Sequence, residues 1–347
     1  MRQILLLGNP GTKRTVYLEA GAREAGVALR LLDWKTWQKD RRQMAGDGAA
    51  AGIFLKIDPP LWDSCRLDEL DILVRGYEEE LEVLASLEGE QKLTFLNHPE
   101  AIICLLDKRG CKRCLQSRGI PVTETLLESV SHSEQLLEAM EREQMSQVFL
   151  KPVRGSGAAG AAAFRYQRKT GQMVLYTCSM EDPDTGRLVN TKRLRRFTDR
   201  KQILSLVRRL TALDCLAERW YPKAEHKGYS YDLRAVVQDG QVDFLLSRLS
   251  RGPLTNLHLN NHPLSARELG LPSRIWEETE ELCRTAAGCF RGLRSTGMDI
   301  LLEKGSLRPR VIEMNGQGDL IYQDIYDENK IYRHQAEMMK EWLYGKT

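Results

Sequence analysis

The side chains with the clearest capacity for chemistry lie near the carboxyl end of the chain, in two alternating apolar segments. Asp299 lies in the first segment, 297–302, and Glu313 and Asn315 lie in the second, 311–316. Because successive side chains of a strand point to opposite faces, Glu313 and Asn315 share one face of a predicted hairpin. Carboxylates and an amide are oxygen ligands of the kind that magnesium takes, with phosphate and water completing its shell. The alternative is an exposed hairpin face whose polar side chains are simply solvated.

A lysine followed by a glycine-rich run gives a second candidate site. Lys151 lies near the end of an apolar segment, and the run 154–160 that follows contains Gly155, Ser156 and Gly157. Small residues let backbone N–H groups close on phosphate oxygens, and a lysine supplies a point charge for them. A flexible turn is the alternative, and these residues alone leave the two interpretations about even.

An apolar strand with an acidic residue inside it, 216–221, gives a third candidate site. The strand contains Glu218 and is ended by Pro222. Backbone N–H and C=O groups near this end could hold an adenine ring, and Glu225 or His226 beyond it could reach ribose hydroxyls. An edge strand with its loop explains these residues equally well.

Two arginines alternate with apolar neighbours on adjacent predicted strands. Arg234 and Arg248 can therefore face one cleft, where a guanidinium suits a γ-phosphate or a carboxylate. Salt bridges to Asp232 and Glu313 would be a structural role for the same arginines, and the two roles are compatible.

These groups must be positioned by the elements around them, and the chain opens with a recognisable scaffold. Apolar runs over 2–8 and 27–33, with helical spacing over 14–26 between them, predict a βαβ unit and a parallel sheet. The loop 8–15 lacks the spacing of a P-loop. It is predicted to turn the chain at the carboxyl edge of the sheet, where a substrate could still bind. A domain boundary is predicted near residue 97.

Beyond that boundary the pattern predicts an α+β module. Gly119 ends its first helix, and the pair 239–240, Asp-Gly, is a strong hairpin signal between two strands. The predicted helices are 99–118, 199–213, 273–291 and 328–343, and the predicted strands are 148–153, 161–166, 173–179, 216–221, 231–238 and 241–250.

Size and composition are typical of a soluble globular protein with two or three domains. The chain has 347 residues, of which 29% are charged and 42% apolar, and its formal charge is +3. A signal peptide is not predicted, because the N-terminal apolar run is only a few residues long and ends in Gly-Asn-Pro-Gly. A membrane partner is not predicted, because no apolar run approaches the roughly 20 residues that span a bilayer. Eight scattered cysteines, including the pair Cys111 and Cys114, predict reduced thiols and a cytoplasmic location. A nucleic-acid partner is the weakest option, since the basic run 192–196 is better explained as a solvated face, or as a contact for an anionic substrate tail.

The order of these features resembles the ATP-grasp superfamily. Along the chain come a helical lysine (Lys108), a strand lysine with its glycine-rich run, an acidic strand, two arginines, the string Asn-Leu-His at 256–258, an aspartate and finally Glu-x-Asn. The resemblance covers about residues 98–320. It is closest to the branch that contains glutathione synthetase and the ribosomal-protein glutamate ligases, in which those strings recur. One departure is the turn Gly-Gln-Gly-Asp at 316–319, where the family commonly has Ser/Thr-Pro-Gly.

The resemblance implies a fold and a domain plan. The expected fold class is α/β and α+β: an ATP-grasp fold, in which two α+β subdomains clamp ATP, preceded by a Rossmann-like N-terminal domain. The implied units are 1–97 for the N-terminal domain, 98–214 for the central subdomain with a glycine-rich lid, and 215–347 for the C-terminal subdomain with the metal site.

The resemblance also implies roles for the candidate residues. Glu218, Trp220 and Tyr221 would hold adenine, Arg248 would reach the γ-phosphate, and Arg234 would face the acyl phosphate or the substrate. The full set comprises the ATP contacts Lys108, Lys151, Gly155, Ser156, Gly157, Glu218, Trp220, Tyr221 and Glu225, the catalytic residues Arg234 and Arg248, and the Mg²⁺ or Mn²⁺ ligands Asp299, Glu313 and Asn315.

The implied activity is that of an ATP- and Mg²⁺-dependent ligase. It would join a carboxylate to an amine or a thiol through an acyl phosphate, and its substrate would be an amino acid, a peptide or another small carboxylate. An ATP-grasp phosphotransferase or a peptide- or protein-modifying ligase is the first alternative, and a noncatalytic nucleotide-binding protein is the second. The sequence identifies neither the carboxylate nor the amine, and it leaves a homo-oligomer open.

Overall fold

The first layer of the fold is a four-stranded parallel sheet. The computed structural model describes residues 2–44, 51–62, 64–155, 158–259, 261–317 and 329–345. The strands β1 (Arg2–Gly8), β2 (Leu29–Asp33), β3 (Gly52–Ile57) and β4 (Leu93–Phe95) lie in the order β2-β1-β3-β4, and the helices are α1 (Lys13–Glu24), α2 (Trp34–Lys39) and α3 (Leu67–Ser86). The predicted βαβ opening and parallel sheet are confirmed.

Apolar residues on both faces of β1 explain why this strand has no polar alternation. Leu5 and Leu7 pack in one buried cluster with Tyr77 of α3, whereas Ile4 and Leu6 pack in another with Leu18 of α1. A parallel sheet that is covered on both faces requires such a continuous apolar strand. The carboxyl ends of the strands therefore stay open to ligands while the faces are sealed.

Two helices follow in place of the single predicted helix over 99–118. They are α4 (Pro99–Leu106) and α5 (Lys108–Ser117). Asp107 between them is extended, and its carboxylate accepts hydrogen bonds from the backbone N–H groups of Arg109 and Gly110 at 2.9 and 3.0 Å. An aspartate in this position caps a new helix, which the sequence prediction missed. The break places Lys108 in the first turn of α5, where its backbone N–H donates to Val153.

The second layer is a six-stranded antiparallel sheet. Its strands are β5 (Thr125–Val130), β6 (Gln147–Pro152), β7 (Ala162–Gln167), β8 (Gln172–Glu181), β9 (Leu188–Phe197) and β10 (Cys215–Arg219), in the order β5-β10-β6-β7-β8-β9. The helices α6 (Ser133–Arg142) and α7 (Arg200–Thr211) share its buried apolar cluster. The basic run 192–196 lies in the edge strand β9, for which the sequence had predicted no strand.

The third layer is again antiparallel and carries the predicted hairpins. Its strands are β11 (Glu225–His226), β12 (Tyr229–Gln238), β13 (Gln241–Ser250), β14 (His262–Ser265), β15 (Ser295–Leu302) and β16 (Pro309–Asn315), in the order β14-β13-β12-β15-β16 with β11 beside β12. The helix α8 (Ser273–Ala287) packs on this sheet. Asp239 and Gly240 have φ angles of 44° and 75°, so the predicted Asp-Gly turn is confirmed.

The last helix, α9 (Lys330–Tyr344), returns to the first sheet and packs against α1. A Cβ atom at Gly21 of α1 would lie 2.9 Å from the carbonyl oxygen of Tyr332, so glycine permits this close approach. Strand β10 pairs with β5 and β6 of the second sheet, although its residues were assigned to the last subdomain. Among the described residues, no helix is long and apolar enough to span a bilayer.

Candidate functional site

A cavity of about 570 Å³ lies where the three sheets meet. The first sheet contributes Asn9 and Asp58 to its wall, the second contributes Lys151, and the third contributes Arg248 and Asp299. Loops at the carboxyl edge of the parallel sheet, including the loop 8–15, thus face the cavity, as the sequence suggested for a substrate. The cavity is large enough for a small-molecule ligand, for which pockets of about 300–1,000 Å³ are usual.

A buried carboxylate anchors two lysines at one side of this cavity. Glu218 of β10 is 2% exposed and accepts hydrogen bonds from the ammonium groups of Lys112 and Lys151, and from the Thr123 hydroxyl at 2.9 Å. Burial raises the pKa of Glu218, but the two ammonium groups outweigh burial and hold the pKa at about 2. The resemblance assigned Glu218 to adenine, whereas its carboxylate here is directed at the lysines. Lys112, one helical turn after Lys108, was not predicted from the sequence.

The second predicted phosphate contact, Lys108, lies beside the glycine-rich loop. Its ammonium donates to the carbonyl oxygen of Gly155 and lies 3.5 Å from a carboxylate oxygen of Glu313. Lys108, Lys151, Gly155 and Glu313 all line the cavity. The structure therefore brings both predicted lysines and the start of the predicted loop to one wall. Ser156 and Gly157 of that loop lie outside the described residues.

The strand that was predicted to hold adenine presents alternate residues to the cavity. Arg219 and Tyr221 line it. Trp220 instead packs its ring against Phe149, with the centroids 5.4 Å apart, and the guanidinium of Arg165 lies 5.0 Å from the Trp220 ring centroid. The backbone of Trp220 is also occupied, because its N–H and its carbonyl both bond to Gln147. Trp220 is therefore turned toward the second sheet and away from the cavity.

Glu225, the predicted ribose contact, lies apart from the other candidates. Its side chain is 48% exposed and forms a 2.6 Å salt bridge with Lys304, and Glu225 is not among the cavity residues of the described chain. Lys223 lies on the cavity wall instead, where it donates to Thr255 at 2.7 Å. Lys223 follows Pro222 directly, and no feature of the sequence marked it.

The two predicted arginines hold the predicted metal ligand between them. Arg234 donates to Asp299 at 2.6 Å, and Arg248 lies 3.0 Å from the other carboxylate oxygen of Asp299. Arg248 also donates twice to the buried Asp232, at 2.8 and 2.9 Å. Burial raises the pKa of Asp299, but Arg248 and Arg234 outweigh burial and bring the pKa to about 2. The arginines therefore form structural salt bridges, as predicted, but Asp299 takes the place of Glu313 as their partner.

The three predicted metal ligands share one patch of the third sheet. Asp299 faces Glu313 across the β15–β16 pair, Gly297 faces Asn315, and all three ligands line the cavity. A Cβ atom at Gly297 would lie 2.6 Å from the Arg234 guanidinium, so glycine leaves the room in which Arg234 reaches Asp299.

The side chains of this patch can hold a hard cation such as magnesium only if a bound phosphate supplies further oxygen ligands. Among the described residues, no group of three or more His, Cys, Asp or Glu side chains is placed to hold a metal ion. Two carboxylates and one amide oxygen are nevertheless the donors that magnesium accepts, provided phosphate oxygens complete its shell. The patch therefore fits a magnesium ion that arrives with a phosphate ester.

The turn after Asn315, where the sequence departs from the family pattern, meets the first sheet. Gln317 lines the cavity and donates to the hydroxyl of Tyr77 in α3 at 2.8 Å. The carbonyl of Gly316 accepts a hydrogen bond from Asn97. The turn thereby connects the predicted metal patch to the N-terminal wall. The remaining turn residues, 318–319, lie outside the described residues.

Comparisons with known proteins identify the fold. No protein-family model matches the chain, and no curated protein sequence matches it. Among solved structures, the ATP-grasp ligase PsnB complexed with minimal precursor, Mg and ADP is 16% identical, with a TM-score of 0.60 over 97% of this chain and 96% of that one.

Two further structures show the same likeness. The macrocyclase MdnC bound with precursor peptide MdnA from Microcystis aeruginosa MRC is 13% identical, with a TM-score of 0.61 over 98% of this chain and 100% of that one. D-alanine–D-alanine ligase from Bacillus anthracis, complexed with ATP, is 12% identical, with a TM-score of 0.55 over 97% of this chain and 95% of that one. The chain therefore has the ATP-grasp fold, as its sequence predicted.

Proposed function

We propose that this protein is a Mg²⁺- and ATP-dependent ligase that joins a carboxylate to an amine or a thiol through an acyl phosphate. The observation that carries this proposal is the meeting of Lys108 and Lys151 with Asp299, Glu313 and Asn315 in one cavity. Phosphoryl transfer needs alignment and charge neutralisation more than covalent catalysis, and lysines facing a hard-cation site supply both. The ATP-grasp fold of the chain is consistent with this chemistry.

The nucleotide would lie along the wall formed by the second sheet. Lys108 and Lys151 would neutralise the α and β phosphates, while the loop that begins at Gly155 would cover them. Backbone groups near Arg219 and Tyr221 would hold adenine, since these residues line the cavity and Trp220 does not. Glu218 would act indirectly, by holding the ammonium of Lys151 on the cavity wall.

The third sheet would bind the metal ion and the γ-phosphate, at the end of the cavity where the reaction takes place. Asp299, Glu313 and Asn315 would hold magnesium or manganese, which neutralises the charge of the phosphates when it is bound. Arg248 would contact the γ-phosphate, and Arg234 would face the acyl phosphate. A carboxylate has about four lone-pair sites, so Asp299 can keep an arginine while it binds a cation.

In the proposed reaction, an oxygen of the substrate carboxylate attacks the γ-phosphorus and ADP leaves. The amine or thiol then attacks the acyl carbon, and phosphate leaves. The arginines stabilise the negative charge that moves between these oxygens, and no Ser or Cys nucleophile is required. Exclusion of water from the cavity would limit hydrolysis of the acyl phosphate.

A peptide is the second candidate for the substrate. PsnB and MdnC were both solved with precursor peptides, and both align with nearly the whole of this chain. A peptide-modifying ligase would use the same nucleotide and metal residues. Mass spectrometry of the products distinguishes the alternatives. An amide product differs in mass from a phosphorylated one, and a modified peptide differs in mass from a small amide.

The test of the proposal is ADP formation by the purified protein with Mg²⁺-ATP and a panel of amino acids, peptides and small carboxylates. Replacing Glu313 by Gln should lower substrate-dependent ADP formation by about 100-fold, the effect typical of losing one electrostatic contact to the transition state. Glu303→Gln is the matched control, since Glu303 lies in the same hairpin and pairs with Arg310. Binding of Mg²⁺-ATP without turnover in the wild type would instead support a noncatalytic nucleotide-binding protein.

A further inference from the structure

The wall of the cavity formed by the first sheet contains a carboxylate that the proposed ATP chemistry does not use. Asp58 follows β3 at the carboxyl edge of the sheet, is 2% exposed and lines the cavity. Its backbone is fixed from two sides: its N–H donates to Leu7 at 2.8 Å, and its carbonyl accepts from the indole of Trp34 at 2.9 Å. The position of this carboxylate is therefore set by the sheet itself.

Only one oxygen of the Asp58 carboxylate has a partner within the described chain. Oδ1 accepts a hydrogen bond from the buried ammonium of Lys56, whereas Oδ2 is buried without a hydrogen-bond partner among the described residues. A buried acceptor that lacks a donor is destabilising, and that penalty disappears when a ligand supplies the donor. Asp58 is among the residues that line the cavity, so a ligand bound there would lie beside this carboxylate.

We propose that Oδ2 of Asp58 accepts a hydrogen bond from the amino group of a substrate, so that the substrate is an amino acid or a peptide with a free amino group. This inference rests on the proposed ligase function and specifies its substrate class. An ammonium is the strongest donor available, because its hydrogen bond to a carboxylate is charge-assisted. Lys56 leaves Oδ2 available for a second donor.

Neighbouring residues connect Asp58 to the reacting end of the cavity. Tyr77 packs edge-to-face on Trp34 and accepts a hydrogen bond from Gln317, which lies two residues after the proposed metal ligand Asn315. Burial raises the pKa of Tyr77, and the charge of Asp58 adds to this effect, so the hydroxyl stays protonated. A substrate amino group at Asp58 would therefore lie on the side of the cavity that adjoins the metal patch.

The same wall suits an apolar side chain. Pro59, Pro60, Leu61 and Trp62 follow Asp58 directly and line the cavity, and Leu61 is 69% exposed. An acceptor for an amino group beside an apolar surface matches an apolar amino acid or the first residue of a peptide.

The experiment measures ADP formation with Mg²⁺-ATP and named probes: the L and D forms of alanine, leucine and phenylalanine, dialanine, and the N-acetyl and α-hydroxy analogue of each. Compounds with a free amino group should stimulate ADP formation. Their analogues should do so with kcat/KM lower by about tenfold to a hundredfold, the factor expected for one charge-assisted hydrogen bond. Equal stimulation by the analogues, or no stimulation by any probe, would overturn the inference.

Variants of Asp58 test the residue itself. Asp58→Asn should raise KM for the stimulating amino acid by a similar factor with a smaller change in kcat. Asp71→Asn, on the exposed side of α3 where Asp71 pairs with Arg75, is the matched control. Since Asp58→Asn leaves Lys56 buried without its partner, the double variant with Lys56→Met provides a neutral pair that should fold. A wild-type KM in either variant would contradict the inference.

The two proposals fail in distinguishable ways. Binding of Mg²⁺-AMPPNP reports on the nucleotide site without any substrate. If Glu313→Gln abolishes ADP formation while Asp58→Asn behaves as the wild type, the ligase proposal stands and the amino-group inference is wrong. If Glu313→Gln forms ADP at the wild-type rate, the ligase proposal is wrong and the inference loses its premise.

Discussion

The substitution Glu218→Gln would remove the charge that holds two lysines at the edge of the cavity. Glu218 is 2% exposed, and the side chains of Lys112 and Lys151 are 8% and 12% exposed. The amide of glutamine keeps the size of the side chain but leaves both ammonium groups without their anion. Loss of one partner from a buried ion pair typically costs about 3–5 kcal/mol, because the remaining charge stays desolvated.

The lowered pKa of Glu218 gives a second value for the free energy that these ion pairs contribute to folding. The pKa falls from the ordinary value of 4.5 to about 2 in the fold. At about 1.4 kcal/mol per pKa unit, this corresponds to roughly 3 kcal/mol of folding stability at neutral pH. Burial lowers the pKa of Lys112, although Glu218 opposes that effect. The ion pair therefore offsets the cost of burial less completely for the lysine than for the carboxylate. We therefore expect a loss near the lower end of the range, about 3 kcal/mol.

The pH dependence follows from the direction of the shift. Because the folded pKa of Glu218 lies below its unfolded value, the stability it contributes is present above about pH 4.5 and is lost as the pH falls toward 2. Urea unfolding of the wild type and of Glu218→Gln should therefore differ most at pH 7, and the difference should shrink below pH 4.5. Hydrogen exchange of the β6 and β10 amides should report the loss locally.

Two further variants make this experiment decisive. Glu128→Gln removes the exposed partner of Arg113 and should leave the unfolding midpoint unchanged, because water screens that pair. Adding Lys112→Met to Glu218→Gln should restore part of the lost stability, since one uncompensated ammonium is then absent. An unfolding midpoint equal to that of the wild type in Glu218→Gln, at every pH, would refute the role assigned to this carboxylate.

Two other predictions concern the adenine wall and the last helix. Trp220→Phe should leave the Kd of Mg²⁺-AMPPNP unchanged, because Trp220 packs behind Phe149 and is not among the described residues that line the cavity, whereas Tyr221→Ala should raise the Kd. Isothermal titration calorimetry measures both Kd values, and weaker binding by Trp220→Phe would show that the tryptophan contacts the nucleotide. The hydrogen bond to Asp243 raises the pKa of His334 above 6.5, so this pair stabilises α9 below about pH 6.5 and stops doing so as the pH rises through the raised pKa. His334→Gln should remove that part of the pH dependence of the thermal midpoint, and an unchanged dependence would contradict the assignment.

The sequence predicted turns and strands correctly where one kind of residue determines the local backbone conformation. The Asp-Gly turn at 239–240 and the βαβ opening were both correctly predicted, since a positive φ and a continuous apolar strand leave clear signatures. The break at Asp107 was missed even though an aspartate is a good helix cap, because the apolar spacing continues across it. Strand β9 was missed because an exposed edge strand can be strongly basic.

The sequence by itself determined which residue types could perform the chemistry and in which order they occur. Lys108, Lys151, Arg234, Arg248 and the Asp299, Glu313 and Asn315 set all line one cavity, because strand alternation and chain order constrain which side chains can converge. The individual ATP and metal roles of these residues remain predictions.

Only the tertiary structure decided which neighbour each charge has. It paired Glu218 with two lysines, placed Trp220 and Glu225 away from the cavity, and brought Asp58 of the first sheet to the cavity wall. These pairings join residues far apart in the chain, and their energies depend on burial, which local sequence does not encode. The order of residues in the sequence therefore predicts the kind of site, whereas tertiary packing determines which side chains pair with each other in it.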